Sequence, residues 1–277
     1  MSKALCLIHA NCQGDELETL LLASSAFARA YDIERYTNYT REDVPEESLS
    51  RCSLFLYQQL GSEWSQLSSG YLLSRLPSSA VSLCIPNLFF NGYWPLWTSE
   101  SPIAYGDSLL NRLIDESASK PAILNIYLNK DLRSFVDMQA VFEQSLAKER
   151  AKEQGAKIRV LDRVLEYWQE RPLFHTVNHP GRELMLHIAQ SVLRELDFPE
   201  LKQKELSALP ELFPSYAEFD LPIHPQVAKF HGLRWVRDGH VYNIFGRSMT
   251  FEQYISRYID CRLNGYADEF LGYLQLV

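Results

Sequence analysis

Ala4-Leu5-Cys6-Leu7-Ile8-His9-Ala10-Asn11-Cys12-Gln13-Gly14 stands near the start of the chain, and its reading decides the architecture. Ala4 to Ile8 is a short apolar run, of the kind that forms a strand buried on both faces. His9 to Gly14 reads as a turn. From Asp15 to Ala30 the apolar residues Leu17, Leu20, Leu21, Leu22 and Ala26 fall at helical spacing. Strand, tight turn and helix, in that order, open an α/β fold with a parallel sheet.

The pattern repeats outward from there. Tyr31 to Tyr39 reads as a second strand, Ser53 to Tyr57 as a third and Ala80 to Ile85 as a fourth. The acidic stretch from Arg41 to Ser50 and the end of a helix at Tyr71 to Leu76 lie between them. Three of these strands end in polar residues: Asn11-Cys12-Gln13, Gln58-Gln59 and Asn87 after Pro86. In an open parallel sheet, ligands bind outside the carboxyl ends of the strands, so this edge is where chemistry is expected. Leu88 to Tyr105 is aromatic and rich in Pro, Asn and Gly, and reads as an ordered loop. Beyond it helical patterns dominate, at about 107–118, 131–151, 156–170, 181–196 and 250–260. One late pair of short strands is expected within Lys229 to Val241, turning at Asp238-Gly239. The fold expected is an open, mostly parallel α/β sheet followed by a mainly helical part. A boundary near residue 105 would separate a sheet portion, 1–105, from a helical portion, 106–277, the two packing as one domain.

Bulk composition narrows the function classes. The chain has 277 residues, 46% of them apolar and 22% charged, which are ordinary globular values. A net charge of −8 with no long Lys/Arg run is a poor match for nucleic acid. The five cysteines, Cys6, Cys12, Cys52, Cys84 and Cys261, are odd in number, widely spaced and free of any CxxC pattern. They form neither a disulfide framework nor a zinc knuckle, and they fit a reducing, cytoplasmic setting. Met-Ser-Lys leads directly into the first strand, too short for a signal peptide, and no apolar run approaches the ~20 residues of a membrane span.

Cys12 is the leading candidate for reactivity. A thiol between a strand and a helix N-terminus meets free N–H groups and the positive end of the helix dipole, which favour its thiolate. The same N–H groups would stabilise an oxyanion. A free cysteine is more often a buried structural residue. Asn11 and Gln13, however, are poor core material and good donors to an oxyanion or substrate. Cys12 is therefore expected to be the most acidic of the five thiols. Its base would be His179, in Asn178-His179-Pro180, where Pro180 is expected to open a helix and His179 to cap it. His224, before Pro225, is the rival base or a substrate contact, and His9 is a third choice. His175 and His187 read as packing residues. Gly14 alone is no nucleotide-binding fingerprint, and no HExxH or other metal pattern occurs.

These motifs in their order resemble a known family. Asn11-Cys12-Gln13, Gln58-Gln59, Pro86-Asn87 with the Phe89-to-Pro95 aromatic loop, Asn178-His179-Pro180 and Ile223-His224-Pro225 are similar to the WcbI family of polysaccharide biosynthesis enzymes, over about the first 230 residues. The resemblance implies a coenzyme A-binding protein, an acetyltransferase acting on capsular or surface polysaccharide. It also implies kinship with the SGNH-type esterase architecture, in which a nucleophile follows the first strand; the open parallel sheet expected is flavodoxin- or SGNH-like. SGNH esterases carry an Asp three residues before the late His; this chain has Thr176 there, so the expectation is a Cys–His dyad without an acid.

The function expected is thus acyl transfer from acetyl-coenzyme A to a saccharide hydroxyl, without a metal. Cys12 and His179 would be catalytic, with Asn11, Gln13, Gln58, Asn87, Asn178 and His224 around the oxyanion and substrate. The loop 88–97 would wall the sugar or pantetheine, and Lys130, Arg182 and Arg247 would meet the coenzyme's phosphates. A cysteine-dependent esterase or thioesterase, and a non-catalytic coenzyme A- or sugar-binding protein, are the alternatives.

Overall fold

A computed structural model describes residues 3–99, 103–116, 119–154 and 156–277. Four strands, β1 (Ala4–Ala10), β2 (Tyr31–Thr37), β3 (Cys52–Tyr57) and β4 (Val81–Cys84), form one sheet. All neighbours are parallel, and their order is β2-β1-β3-β4. The chain leaves β1 toward one edge and crosses back past it to β3, so the topological switch point lies between β1 and β3, where parallel sheets open a crevice. Asn11 and Cys12 follow one of these strands and Gln58 the other.

Alternation along β1 sets the layers. Leu5 and Leu7 join Leu49, Cys52, Phe55 and Leu72 in an apolar cluster on one face. Leu49 lies on α3 (Glu46–Arg51) and Leu72 on α4 (Ser69–Ser74). Ile8 and Ala10 point the other way, toward α1 (Gln13–Ala23). That helix lies close to its strand: a Cβ at Gly14 would stand 3.0 Å from the Ala10 Cβ, so glycine here permits the close approach. Leu7, Ile8, Leu54, Phe55 and Leu56 are fully buried, each contributing about 1.5–3 kcal/mol.

Several element boundaries differ from the sequence expectation. β1 runs on through Ala10, which shortens the turn to Asn11-Cys12. The helix expected over 15–30 is two, α1 and α2 (Ser25–Ala30), because the extended Ser24 between them caps the second through its hydroxyl, which accepts the Phe27 N–H at 3.4 Å. Downstream the chain is mainly helical, with α5 (Ser108–Asp115), α6 (Lys120–Asn129), α7 (Met138–Lys152), α8 (Leu161–Tyr167), α9 (Arg182–Glu195), α10 (Gln203–Leu206), α11 (Pro225–His231) and α12 (Phe251–Leu263). The short strands β5 (Phe174–Thr176) and β6 (His179–Pro180) pair, as do β7 (Val241–Ile244) and β8 (Arg247–Thr250). The last pair corrects the expected hairpin within 229–241. Its turn is Phe245-Gly246, both at positive φ (50° and 83°), the backbone that a two-residue hairpin needs. Residues 117–118 of the expected helix 107–118, and 100–102 of the expected loop, lie outside the described residues.

The chain forms two compact units. The first holds the sheet up to Leu88 together with Glu149–Leu165 and Pro180–Ser215, and within it α9 packs along α1. The second holds Phe89–Lys148, Glu166–His179 and Tyr216–Val277. The sheet unit therefore closes at Leu88 rather than near 105 and takes in two later segments. No helix among the described residues is long and apolar enough to cross a membrane.

His9 carries a consequence for stability. Its ring lies on the Leu7 face, opposite α1, beside Tyr36 and Tyr57 in register on the neighbouring strands. It is 1% exposed, and neither ring nitrogen has a hydrogen-bond partner. Burial lowers its pKa from 6.5 to about 4. The fold thus holds His9 neutral, whereas the unfolded chain protonates it below about 6.5. Its stabilising effect is present above that value and is lost as pH falls toward about 4. His179 and His231 are also lowered to about 4 and act in the same direction. His9→Leu is expected to reduce, without abolishing, the fall in melting temperature between about pH 7 and about pH 4.5. An unchanged fall would mean that His9 does not contribute.

Candidate active site

Side-chain amides tie the four strand ends together. The Asn11 N–H donates to Gln58 Oε1 at 2.8 Å, and Asn11 Nδ2 donates to Asn87 Oδ1 at 3.2 Å. Asn11 Oδ1 accepts from the Gln13 N–H at 3.0 Å and from Gln58 Nε2 at 3.2 Å. Gln13 makes a reciprocal pair with Leu88, donating to its carbonyl at 2.9 Å and accepting its N–H at 3.1 Å. Asn38, just past β2, donates to Gln58 Oε1 at 3.4 Å. Gln58 is 0% exposed, Gln13 3% and Asn38 4%. Such buried amides are tolerable only when paired, and here they largely pair with one another. The structure thus brings Asn11, Gln13, Gln58 and Asn87 together around Cys12. Two residues that the sequence reading missed join them. Asn38 follows a strand, so the strand-end rule applies to it as well. Lys152, at the end of α7, donates from Nζ to the Asn87 carbonyl at 2.9 Å and pairs with Glu149 at 2.6 Å.

Cys12 is half-buried and caps α1 with helical backbone angles (φ −53°, ψ −21°). Burial pushes its thiol up, the Asp15 and Glu16 carboxylates add to this, and the N–H groups of Cys12 and Gln13 oppose it; the result is about 11. This reverses the expected acid shift, and all five thiols are raised. The helix N-terminus is already largely satisfied by the chain itself. The Gln13 N–H is held by Asn11 Oδ1, the Gly14 N–H by the Asn11 carbonyl at 2.8 Å and the Asp15 N–H by the Cys12 carbonyl at 3.3 Å. Little donor capacity is left for an anion, which weakens the oxyanion role expected at Gln13.

His175, His179 and His224 lie in the second unit in distinct settings. His179 does not cap a helix: it belongs to β6, and α9 begins after Gly181. Within that hairpin Thr176 Oγ1 donates to Asn178 Oδ1 at 3.0 Å. The His179 ring stacks on Tyr216 at 4.3 Å, with Nδ1 3.3 Å from the Tyr105 hydroxyl. Burial, and then neighbouring His175, lower it to about 4, which makes it a weak base. His224 does cap α11, with Pro225 following as expected. Its Nδ1 accepts the Gln226 N–H at 3.1 Å, and Nε2 lies 3.1 Å from the Tyr127 carbonyl, to which it donates as a neutral ring. Both nitrogens are engaged, which leaves no lone pair for a substrate proton. His175, read from sequence as packing, places Nδ1 2.6 Å from Asp220 Oδ1.

Of the three basic residues expected at phosphates, one lies in the first unit and two in the second. Arg182 donates to the Leu206 carbonyl at 3.2 Å and lies over the Phe213 ring. Lys130 and Arg247 are exposed in the second unit. Most of the aromatic loop is core: Phe90, Tyr93 and Trp94 are buried, with the Tyr93 hydroxyl on the Trp168 carbonyl at 2.6 Å and the Trp94 indole on the Leu221 carbonyl at 2.9 Å. Among the described residues no group of three or more His, Cys, Asp or Glu is placed to hold a metal ion.

A family model described as the polysaccharide biosynthesis enzyme WcbI matches residues 5–201. The chain belongs to this family. A solved structure of WcbI, described as the native protein without a disulfide bond between coenzyme A and a cysteine, is similar to the chain with a TM-score of 0.74. It covers 100% of this chain and 91% of its own, at 17% identity, a level that shows the fold alone. No curated protein matches the chain. The shared WcbI fold agrees with an N-terminal parallel sheet and a helical remainder.

Two measurements check the site. Alkylation of Cys12, followed by peptide mass spectrometry, is expected to be slow near neutral pH and to rise about tenfold per pH unit up to about pH 10. A rate that levels off below about pH 8 would mean a thiolate stabilised in the fold. Gln58→Leu leaves the Asn11 N–H without its acceptor and is expected to cost about 2 kcal/mol or more in urea unfolding; a neutral result would remove the amide network as the organiser of this edge.

Proposed function

We propose that this chain transfers an acyl group from an acyl-coenzyme A to a hydroxyl of a saccharide, with the thioester held at the strand ends beside Cys12. The observation that carries the reading is the amide network, which fixes a half-buried thiol at the sheet's topological switch point. Membership of a polysaccharide biosynthesis family supports a saccharide acceptor. The description of the similar structure, which names coenzyme A and a cysteine together, supports contact between Cys12 and the coenzyme's sulfur.

The directions of two proton affinities favour one form of this reaction over the other. A thiol near 11 and a His179 imidazole near 4 do not make a resting thiolate–imidazolium pair. Both directions favour a Cys12 that meets the thioester as a neutral thiol and positions it, with direct transfer. The hydroxyl oxygen bonds to the acyl carbon, the carbon–sulfur bond breaks, and the hydroxyl proton passes through a base to the departing coenzyme thiolate.

Release of free coenzyme A from acetyl-coenzyme A, measured with and without saccharide acceptors, tests the reading. Release that depends on acceptor is expected. Release without acceptor would make the chain a thioesterase, and binding without release a binding module. Intact-mass analysis during turnover is expected to show no acetyl adduct on Cys12, and Cys12→Ser is expected to retain transfer within about tenfold. An adduct together with a loss of about a thousandfold would establish a covalent path instead.

A further inference from the structure

We propose that the second unit holds a site of its own for a compact organic ammonium ion, in an aromatic cavity lined by Asp107 and Tyr254. Every residue that lines this cavity belongs to that unit, and the inference does not depend on the acyl-transfer reading. Three helices that pack on one another carry the groups it uses. Asp107 caps α5, Tyr127 lies on α6 and Tyr254 on α12. The rings of Trp94, Trp97, Tyr105, Tyr127 and Phe251 make much of the wall, with Tyr127 and Phe251 stacked at 6.1 Å. The lining is buried except at Trp97, Tyr105 and Asp107, which are half-buried and mark where the cavity meets solvent. Its volume is about 40 Å³. A bound water needs roughly 10–15 Å³ of such space, so the cavity exceeds one water and suits a ligand of a few non-hydrogen atoms.

Two polar groups in this wall are left incomplete. Tyr254 is 3% exposed, and its hydroxyl has no hydrogen-bond partner among the described residues. The other tyrosine hydroxyls of the lining are engaged: Tyr93 with the Trp168 carbonyl, Tyr105 with His179 Nδ1, Tyr127 with Asp107 Oδ2 and Tyr258 with Asn111 Oδ1. Asp107 accepts the Leu110 N–H at 2.7 Å on one oxygen and the Tyr127 hydroxyl at 2.6 Å on the other. No Lys or Arg lines the cavity to balance its charge. His224, also on the wall, has both ring nitrogens engaged, and burial lowers its affinity for a proton. Burial pushes the Asp107 carboxyl up to about 6, against the pull of its hydrogen bonds. Burial, then Tyr258 and Asp107, hold the proton on Tyr254, so carboxylate and phenol feel one another. An ammonium group completes both. Its N–H groups reach the remaining lone pairs of Asp107 and the Tyr254 oxygen, and its charge rests against ring faces. A hydroxyl would serve Tyr254 but leave the carboxylate uncompensated, and an anionic ligand would be repelled by it. A hard metal ion fits poorly, because rings supply no oxygen ligands.

The test is titration of the whole protein with propylammonium, propanol and propionate at constant ionic strength and about pH 8, where a primary amine is still a cation. Tryptophan fluorescence, to which Trp94 and Trp97 contribute from the wall, and the melting temperature report binding. Propylammonium is expected to saturate in the millimolar range, with propanol and propionate at least about tenfold weaker. Asp107→Asn keeps an acceptor for the Leu110 N–H and removes the charge. It is expected to weaken propylammonium about tenfold or more and to leave propanol unchanged. Tyr254→Phe is expected to weaken propylammonium about threefold or more, while the ligand-free melting temperature holds or rises, since a buried unpartnered hydroxyl costs stability. Should Asp107→Asn not fold, Tyr254→Phe carries the test. The proposal is overturned if propylammonium does not saturate, the cavity then holding water only, if propanol binds as tightly, or if either folded variant binds propylammonium like the wild type. A fall in the ligand-free melting temperature of Tyr254→Phe would show a hydroxyl already bonded within the fold, and would overturn it as well.

Discussion

Gln58 is completely buried at the end of β3, and its amide has to find partners within the protein. Its oxygen takes the Asn11 N–H, and its nitrogen reaches Asn11 Oδ1 and, at 3.4 Å, the Pro86 carbonyl. One side chain thereby fixes the exits of three neighbouring strands in register. A one-residue slip of β3 would turn this amide to the other face and leave Asn11 without its acceptor. The turn that presents Cys12 is thus shaped from the sheet side, through Asn11, and the helix that follows adds only the close approach at Gly14.

The same economy of donors explains the chemistry of the thiol. A helix start attracts anions only through N–H groups that lack other acceptors. Here Asn11 takes two of them, with its side chain and with its carbonyl, before any ligand arrives. Asp15 and Glu16 in the first turn bring negative charge to the side of the thiol as well. A helix dipole alone does not acidify a thiol when local polar residues divide the free donors among themselves.

Much of the sheet edge was legible because it depends on local pattern. Apolar runs marked the strands, and the polar residues after them, Asn11, Gln58 and Asn87, are the ones that the amide network joins. What escaped depended on contacts distant in sequence or on backbone detail. His179-Pro180 reads as a helix start, yet pairing with Phe174–Thr176 draws both residues into a strand and delays the helix until after Gly181. The Asp238-Gly239 dipeptide has the better hairpin signature, but residues 225–231, with Val227, Ala228 and Phe230 apolar among polar ones after a proline, form a helix that runs into the region read as its first strand. His175 and Asp220 are 45 residues apart, and no spacing rule could have joined them.

The path of the backbone between the two units has a meaning for how this protein can be handled and inherited. The chain passes from one unit to the other after Leu88, Lys148, Leu165, His179 and Ser215. Neither unit is a contiguous stretch of gene, so no single truncation yields either one whole. A fragment ending at Leu88 would carry the complete sheet but lack α9, the helix that covers α1, and would expose Leu17, Leu20 and Leu21 among its apolar residues. Recombination could exchange neither unit as a block, and the pair is bound to be gained, lost and expressed as one piece.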